Sequence, residues 1–197
     1  IVWMVRMIAT AMRKGTYQGE LQIYCHQGLT DTISTICRLT MQGKFFKMIG
    51  SRIFLVPVED GETVHILDYD VTFFDILSTK ARQFGFTTVL KNGCRFTCAG
   101  DEPYNPDCRA YVEGSNWLLH EAFCLYRDRE IFAPYEKHHS TVKEACELAE
   151  ELNIPNLVLW HTEDKQLAQR KTLYIKEGRK YYHGNLLVPE DREIIVL

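Results

Sequence analysis

The sequence predicts an α/β fold in which a mixed, largely antiparallel set of strands is flanked by helices. Residues 1–14 form an apolar helical run, and β-branched or aromatic runs alternate with turn signals from residue 53 to residue 100. Beyond residue 100 the order becomes strand, helix, strand, which is typical of parallel pairing with a right-handed crossover. No internal repeat or linker interrupts the 197 residues, of which 46% are apolar, so we expect one domain over residues 1–197.

The first sixty residues predict a helix, a strand and a second helix. Residues 1–14 are apolar on all sides, which indicates a mostly buried helix, and Gly15 ends it. Residues 20–25 alternate with a period of two and predict a strand. The second helix follows Gly28 with Thr30 or Asp31 as its N-cap. Its buried face comprises Ile33, Ile36, Cys37 and Met41.

Hairpins dominate the segment from residue 53 to residue 100. Five strands are predicted there, over residues 53–58, 63–67, 71–77, 86–90 and 95–99. Asn92-Gly93 is typical of a tight turn between antiparallel strands. We therefore expect this part of the sheet to be antiparallel.

Alternating strands and helices follow. Residues 116–119 and 157–160 predict buried strands, and Thr141 with Glu144 forms a capping box at the start of a helix between them. A weaker helical pattern covers residues 164–174, and residues 193–197 predict a last strand. The crossover places His161 at the carboxyl end of its strand, where parallel sheets bind ligands.

Composition excludes several classes of protein. The net charge of −3 gives no general basic field for nucleic acid. Seven cysteines without a Cys-x-x-Cys pair indicate reduced thiols in a cytoplasmic protein and disfavour a thiolate zinc site. No apolar stretch approaches the roughly 18 residues of a membrane span, so we expect no membrane partner.

Five side chains are candidates for chemistry, and four of them also have an ordinary structural explanation. Asp101 follows Gly100 at a strand end, where an aspartate commonly caps a turn. His161 ends a strand and could bond only to backbone. His120 is equally compatible with a buried neutral histidine, beside Glu121. His139 lies just before a helix, where its ring could act as an acid or merely precede the cap.

The order and spacing of these residues resemble a known family. Gly100-Asp101, His120-Glu121-Ala122, His139-Ser140-Thr141 and His161-Thr162 are similar to the motifs of the metallo-β-lactamase superfamily, in its ribonuclease Z-like branch. That branch carries Gly-Asp-Thr, Leu/Ile-His-Glu-Ala, His-Ser-Thr and Thr-His. The resemblance covers residues 97–162 well and implies an αββα sandwich. Residues 21–29 and 83–86 resemble other family segments more loosely.

The resemblance implies a role for each candidate residue. Asp101 matches the carboxylate that bridges two metal ions, and His161 matches a histidine ligand of the second ion. Glu121 and His139 match the family's catalytic positions near the scissile phosphate, with Glu121 orienting and His139 acting as acid. Two divalent ions would activate water and stabilise the leaving oxygen. Zinc is the expected metal, with iron or manganese as alternatives.

Two departures from the family pattern affect this metal site. The His-x-His-x-Asp-His signature does not occur in the 197 residues, and residues 1–3 resemble the start of the helix that follows it in the family. We therefore expect the chain to lack the family's N-terminal strands and this segment. Ser78 or Thr79 stands where the family has another histidine, and a hydroxyl is a poor zinc ligand.

The sequence thus predicts a metal-dependent hydrolase that acts on a small phosphodiester or similar ester. Transfer-RNA-processing members carry a protruding arm where this chain has only residues 80–100, so pre-tRNA is disfavoured as a substrate. The alternative is a non-catalytic binding or scaffold protein with the same fold. A homodimer is left open.

Overall fold

The computed structural model describes all residues from 1 to 197, and the chain divides into two compact units, residues 1–59 and 60–197. The single-domain assignment for residues 1–197 stays a prediction. No helix of either unit is both long enough and apolar enough to cross a bilayer.

The first unit packs three helices with a small parallel sheet. Its elements are α1 (Val2–Lys14), β1 (Leu21–Cys25), α2 (Gln27–Thr40), α3 (Gly43–Phe46) and β2 (Ile53–Pro57). β1 pairs with β2 in parallel, with Leu21 opposite Ile53. The prediction that residues 53–58 belong to the antiparallel region is therefore wrong. A parallel pair needs a long crossover, and α2 with α3 supplies it here.

The two long helices of this unit differ from their predicted form. α1 buries only Val5, Ala9 and Met12, while Trp3 is 66% exposed, so the prediction of a mostly buried helix is wrong. An all-round apolar pattern does not say how many faces will find a partner. α2 begins earlier than predicted, because His26 is its N-cap and Nδ1 accepts a hydrogen bond from the Leu29 amide at 3.3 Å.

The second unit is built on one seven-stranded sheet with the order β3-β4-β5-β6-β7-β8-β9. β3 to β6 pair antiparallel and β6 to β9 pair in parallel, so the sheets are mixed as predicted. The antiparallel share is smaller than predicted. The strands are β3 (Thr63–Ile66), β4 (Tyr69–Asp75), β5 (Phe84–Val89), β6 (Arg95–Cys98), β7 (Trp117–Glu121), β8 (Asn156–Trp160) and β9 (Asn185–Leu187).

Helices follow the parallel strands of the second unit. They are α4 (Arg109–Val112), α5 (Arg129–Phe132), α6 (Val142–Glu151) and α7 (Leu167–Gly178). α6 begins at the predicted capping box, in which Thr141 and Glu144 satisfy each other's backbone amides. Its buried Ala145 and Ala149 join Leu118 of β7 and Leu157 of β8 in one core. This packing fixes the start of α6 close to the carboxyl ends of the parallel strands.

The prediction of a last strand over residues 193–197 is wrong. The final strand is β9, whose Leu186 is 3% exposed, whereas Ile194 and Val196 are 88% and 87% exposed. Both segments are rich in branched apolar residues, and burial against the core selects the one that joins the sheet.

Close packing at Gly85 of β5 leaves no room for a side chain. A Cβ atom there would lie 2.6 Å from both the Phe74 ring and the Cys98 carbonyl oxygen. We expect Gly85→Ala to lower the free energy of unfolding in urea by about 1–3 kcal/mol through overpacking. Gly43→Ala is the control, because nothing lies within 4 Å of its Cβ position in α3. Equal stability of the two variants would contradict this packing.

Candidate active site

Three adjacent parallel strands end at one edge of the seven-stranded sheet and carry three of the candidate residues there. Asp101 follows β6, Glu121 is the last residue of β7, and His161 follows β8. β7 lies between the other two, and Glu121 is paired with Trp160, the last residue of β8. Neighbouring strands lie about 4.8 Å apart. The sheet therefore delivers two carboxylates and an imidazole to the same edge.

Unusual backbone conformations turn the chain at two of these strand ends. Gly100 has a φ of 82°, and a Cβ there would lie 2.8 Å from the Ile76 Cδ1 atom, so both the conformation and the space require glycine. His161 adopts a φ of 50°, in the left-handed region that is uncommon outside glycine. Such strain concentrates at functional sites, where the surrounding structure must hold it in place.

His139 occupies the centre of this edge. Its ring is stacked on Phe123 with a centroid distance of 4.9 Å and lies 5.0 Å from the ring of His161. The His139 amide donates to the Pro134 carbonyl at 2.9 Å, which fixes the residue just ahead of α6. Asp101 is close enough to the His139 ring to raise its pKa. Asp101 and His161 are thus both neighbours of His139.

The carboxylate of Glu121 is fully buried and only half satisfied. Its Oε1 accepts hydrogen bonds from the Ser140 amide and, at 2.7 Å, from the Ser140 hydroxyl. Its Oε2 has no hydrogen-bond partner and lies 3.5 Å from Nδ1 of His139, which also has none. Buried polar atoms are rarely left unpaired. Glu121 Oε2 and His139 Nδ1 are therefore two unpaired atoms that one shared proton would join in a hydrogen bond.

Burial controls the protonation of this pair. It raises the pKa of Glu121 to about 7, against the opposing effect of the Ser140 hydrogen bonds and with some help from the charge of Asp101. It also lowers the pKa of His139, with further contributions from the cationic Lys80 and from His161, while Asp101 acts in the opposite direction. Near neutral pH, Glu121 can therefore hold or release a proton beside a neutral His139.

His120 is buried beside the site, and its Nε2 has no hydrogen-bond partner. It is 1% exposed, and its Nδ1 lies 2.7 Å from the Glu121 carbonyl oxygen. A carbonyl only accepts, so Nδ1 carries the proton. Burial lowers the pKa of His120 and keeps its ring neutral.

Ser78 and Thr79 lie in a loop that closes on this edge. Ser78 Oγ donates to Glu102 Oε1 at 2.6 Å, and Thr79 Oγ1 shares a hydrogen bond of 2.7 Å with Nδ1 of His138. The two hydroxyl groups are therefore engaged in holding the loop against the residues next to Asp101 and His139.

Asp101 and His161 carry the kinds of donor atom that bind metal ions. Asp101 offers carboxylate oxygens and His161 an imidazole nitrogen, which are donors that zinc, iron and manganese accept. The orphaned atoms of Glu121 and His139 lie beside them. However, residues 1–197 contain no group of three or more His, Cys, Asp or Glu side chains arranged to hold a metal ion. A complete site would need ligands in addition to Asp101 and His161.

Two further residues shape the site and were not predicted. Ser140 orients the Glu121 carboxylate, and Phe123 supplies the face on which His139 stacks. Ser140 lies within the His-Ser-Thr motif, so its position was a usable signal. Nothing local marks Phe123, because its contact with His139 arises only from tertiary folding.

The sequence matches the model of a family described as a β-lactamase superfamily domain over residues 8–162. The chain belongs to this superfamily. Among curated relatives, ribonuclease Z of Thermococcus sibiricus is 27% identical over 107 residues, which cover 54% of this chain and 33% of the relative. Ribonuclease Z of Oceanobacillus iheyensis is 34% identical over 97 residues, covering 49% and 31%. The matched segments thus span about a third of each relative.

Solved structures agree on the fold. The metallo-β-lactamase fold protein YhfI from Bacillus subtilis has a TM-score of 0.70 at 16% identity, covering 94% of this chain and 68% of its own. The short form of human tRNase Z has a TM-score of 0.66 at 19% identity, covering 100% and 73%. The predicted α/β class of metallo-β-lactamase type and the ribonuclease Z-like branch are both confirmed.

The raised pKa of Glu121 predicts how its substitution changes stability with pH. Because the folded pKa is about 7 and the unfolded value is 4.5, the protonated carboxyl favours the folded state below pH 4.5. This stability is lost as the pH rises to about 7, by roughly 3 kcal/mol. Glu121→Gln should therefore gain stability relative to the unmodified chain between pH 5 and pH 8 in urea denaturation.

A solvent-exposed carboxylate provides the control. Glu136→Gln removes an equal charge from an exposed position and should show no such gain across the same pH range. Parallel pH profiles for Glu121→Gln and the unmodified chain would contradict the burial argument.

Proposed function

We propose that this chain carries the catalytic edge of a metal-dependent hydrolase that cleaves a small phosphodiester or a similar ester with activated water. The observation that supports the proposal most directly is the convergence of Asp101, Glu121 and His161 around His139. Three strand ends and one helix start contribute to it, with two unpaired atoms at its centre. Superfamily membership supports a hydrolase.

In this proposal Asp101 and His161 are metal ligands, and the remaining ligands come from outside residues 1–197. The bound metal would supply Lewis acidity and lower the pKa of water. Zinc is preferred, since carboxylate and imidazole suit it, and iron or manganese would fit the same donors.

His139 and Glu121 handle the proton in the proposed reaction. His139 donates the proton of its other ring nitrogen to the leaving oxygen, while protonated Glu121 passes a proton from Oε2 to Nδ1, 3.5 Å away, so the imidazole stays neutral. The proton released by the attacking water then restores the Glu121 carboxyl. The two groups suit this exchange because burial moves the pKa of the carboxyl up and that of the imidazole down, toward each other. Ser140 keeps the carboxylate aimed at the ring.

The proposed substrate is small. Between the Ser78 loop and Asp101, the chain contains only the short hairpin of β5 and β6, with no room for a protruding arm that would grip a folded RNA. Pre-tRNA is therefore the less favoured substrate here. The two ribonuclease Z relatives described above share only about a third of their length with this chain, so their activity is not transferred to it.

The alternative function is a non-catalytic binding or scaffold protein of the same fold. Ser78 and Thr79 at the position of the expected histidine favour it, as does the lack of a three-ligand group within residues 1–197. Metal content separates the two functions. In the hydrolase, the intact protein should hold at least about one metal ion per chain after reconstitution with zinc, iron or manganese.

Substitution of a proposed ligand should affect metal content, whereas substitution of the proposed acid should not. We expect Asp101→Ala to lose most of the bound metal in elemental analysis, and His139→Ala to retain it. The lysine-paired Asp68, on the exposed hairpin, is the control, and Asp68→Ala should retain the metal. An unchanged metal content in Asp101→Ala would favour the scaffold alternative.

The acid role of His139 predicts a dependence on the leaving group. His139→Ala should slow hydrolysis of a diester with an alkyl leaving group by about 10²–10⁴-fold. It should slow bis(p-nitrophenyl) phosphate much less, because nitrophenolate leaves without a proton. Equal losses on the two substrates, measured as kcat, would contradict the assignment.

A further inference from the structure

A cationic side chain lies between the two loops that flank the candidate active site. Lys80 follows Ser78 and Thr79, and its Nζ is 3.6 Å from Glu102 Oε1, next to Asp101. Thr79, the residue before it, is bonded to His138, next to His139. Lys80 is therefore held between the loop after β6 and the loop before α6.

Several contacts fix the loop that presents Lys80. Ser78 Oγ donates to Glu102 and accepts hydrogen bonds from the backbone amides of Lys80 and Ala81. The Thr79 amide donates to the second oxygen of Glu102 at 3.3 Å. Leu77 adopts a φ of 59°, a left-handed conformation that redirects the chain into the loop. These contacts hold the backbone at Lys80 in place.

The ammonium group itself remains available to a ligand. Its distance of 3.6 Å from Glu102 makes an ion pair but no hydrogen bond, so its N–H donors are not used there. Glu102 is already bonded by Ser78 and by the Thr79 amide. The Lys80 side chain is 37% exposed, whereas that of Glu102 is 6% exposed. An anion arriving from solvent can therefore reach Lys80 without breaking the network beneath it.

Lys80 is linked to both loops that carry the site residues. Its carboxylate partner Glu102 follows Asp101, and the hydroxyl of its neighbour Thr79 bonds to His138, which precedes His139. A cation in this position attracts an anionic group that enters between the two loops.

We propose that Lys80 is the anion-binding residue of this site and holds a non-bridging oxygen of the substrate phosphate beside His139. The inference rests on the proposed hydrolase function and adds a substrate requirement to it. A negatively charged diester is favoured over a neutral ester of the same shape. Lysine is suited to this role as a compact point charge with three donors.

The proposal is tested by titrating the protein with dimethyl phosphate and measuring its binding affinity by NMR. This measurement does not require that the protein hydrolyse the ligand. Lys80→Met should bind this monoanion about tenfold to a hundredfold more weakly than the unmodified chain, as expected for loss of a charge-assisted hydrogen bond. Lys80→Arg keeps the charge and should stay within about threefold. Neutral trimethyl phosphate should bind with the same affinity to the unmodified chain, to Lys80→Met and to Lys80→Arg.

Lys91→Met is the matched control, since Lys91 is also an exposed lysine paired with a carboxylate, Asp68, on the hairpins. It should leave dimethyl phosphate binding unchanged. The proposal is overturned if Lys80→Met binds dimethyl phosphate as the unmodified chain does, or if Lys91→Met loses as much affinity.

Failure of the inference is distinguishable from failure of the hydrolase proposal. If the intact protein hydrolyses a diester and Lys80→Met does not change the rate, the inference is overturned and the hydrolase proposal stands. Lys80-dependent binding of dimethyl phosphate without any hydrolysis would support the anion site and overturn the hydrolase.

Discussion

The buried carboxylate of Glu121 is the constraint on which the rest of the site depends. It lies at the end of β7, between two other parallel strands, and has no access to solvent. A carboxylate in that position needs donors, because an unpaired buried charge is strongly unfavourable. Ser140 supplies them from its amide and hydroxyl groups. The same contact sets the position of His139 and the start of α6.

A second carboxylate organises the other side of the site in a similar way. Glu102 is 5% exposed and gathers Ser78, the Thr79 amide and Lys80 around it. Asp101, immediately before it, is close enough to His139 for its charge to raise the pKa of that imidazole. The two acidic residues after Gly100 therefore differ: Glu102 holds a loop, and Asp101 is the one proposed to bind metal. The hydroxyl groups of residues 78 and 79 therefore have a structural role, because they hold this loop in place. They cannot replace an imidazole as a metal ligand.

The sequence predicted the parts of this arrangement that are local and missed those that arise from packing. The capping box at Thr141 and the strand before His161 are recorded in neighbouring residues, and both were placed correctly. The parallel pairing of β1 with β2 and the choice of β9 over residues 193–197 depend on distant partners. A period-two apolar pattern identifies a strand but not the neighbour it pairs with.

The same distinction applies to the site itself. The order of the motifs predicted that one site contains Asp101, Glu121, His139 and His161. In the structure these residues lie at one edge of the sheet. The contact of Phe123 with His139 and the position of Lys80 could not be read from the sequence, because each depends on how a loop folds back. Their roles as metal ligands and acid–base groups stay predictions.

The most direct measurement is the NMR of the histidine rings of the intact protein during titration with Mn²⁺. A metal ion held by Asp101 and His161 should broaden the ring signals of His139 and His161 together at the lowest metal concentrations, since both rings would lie beside it. The exposed His65 and His183 serve as internal references. Broadening of His65 or His183 before His139 and His161, or of His161 without His139, would contradict a shared centre at this edge of the sheet.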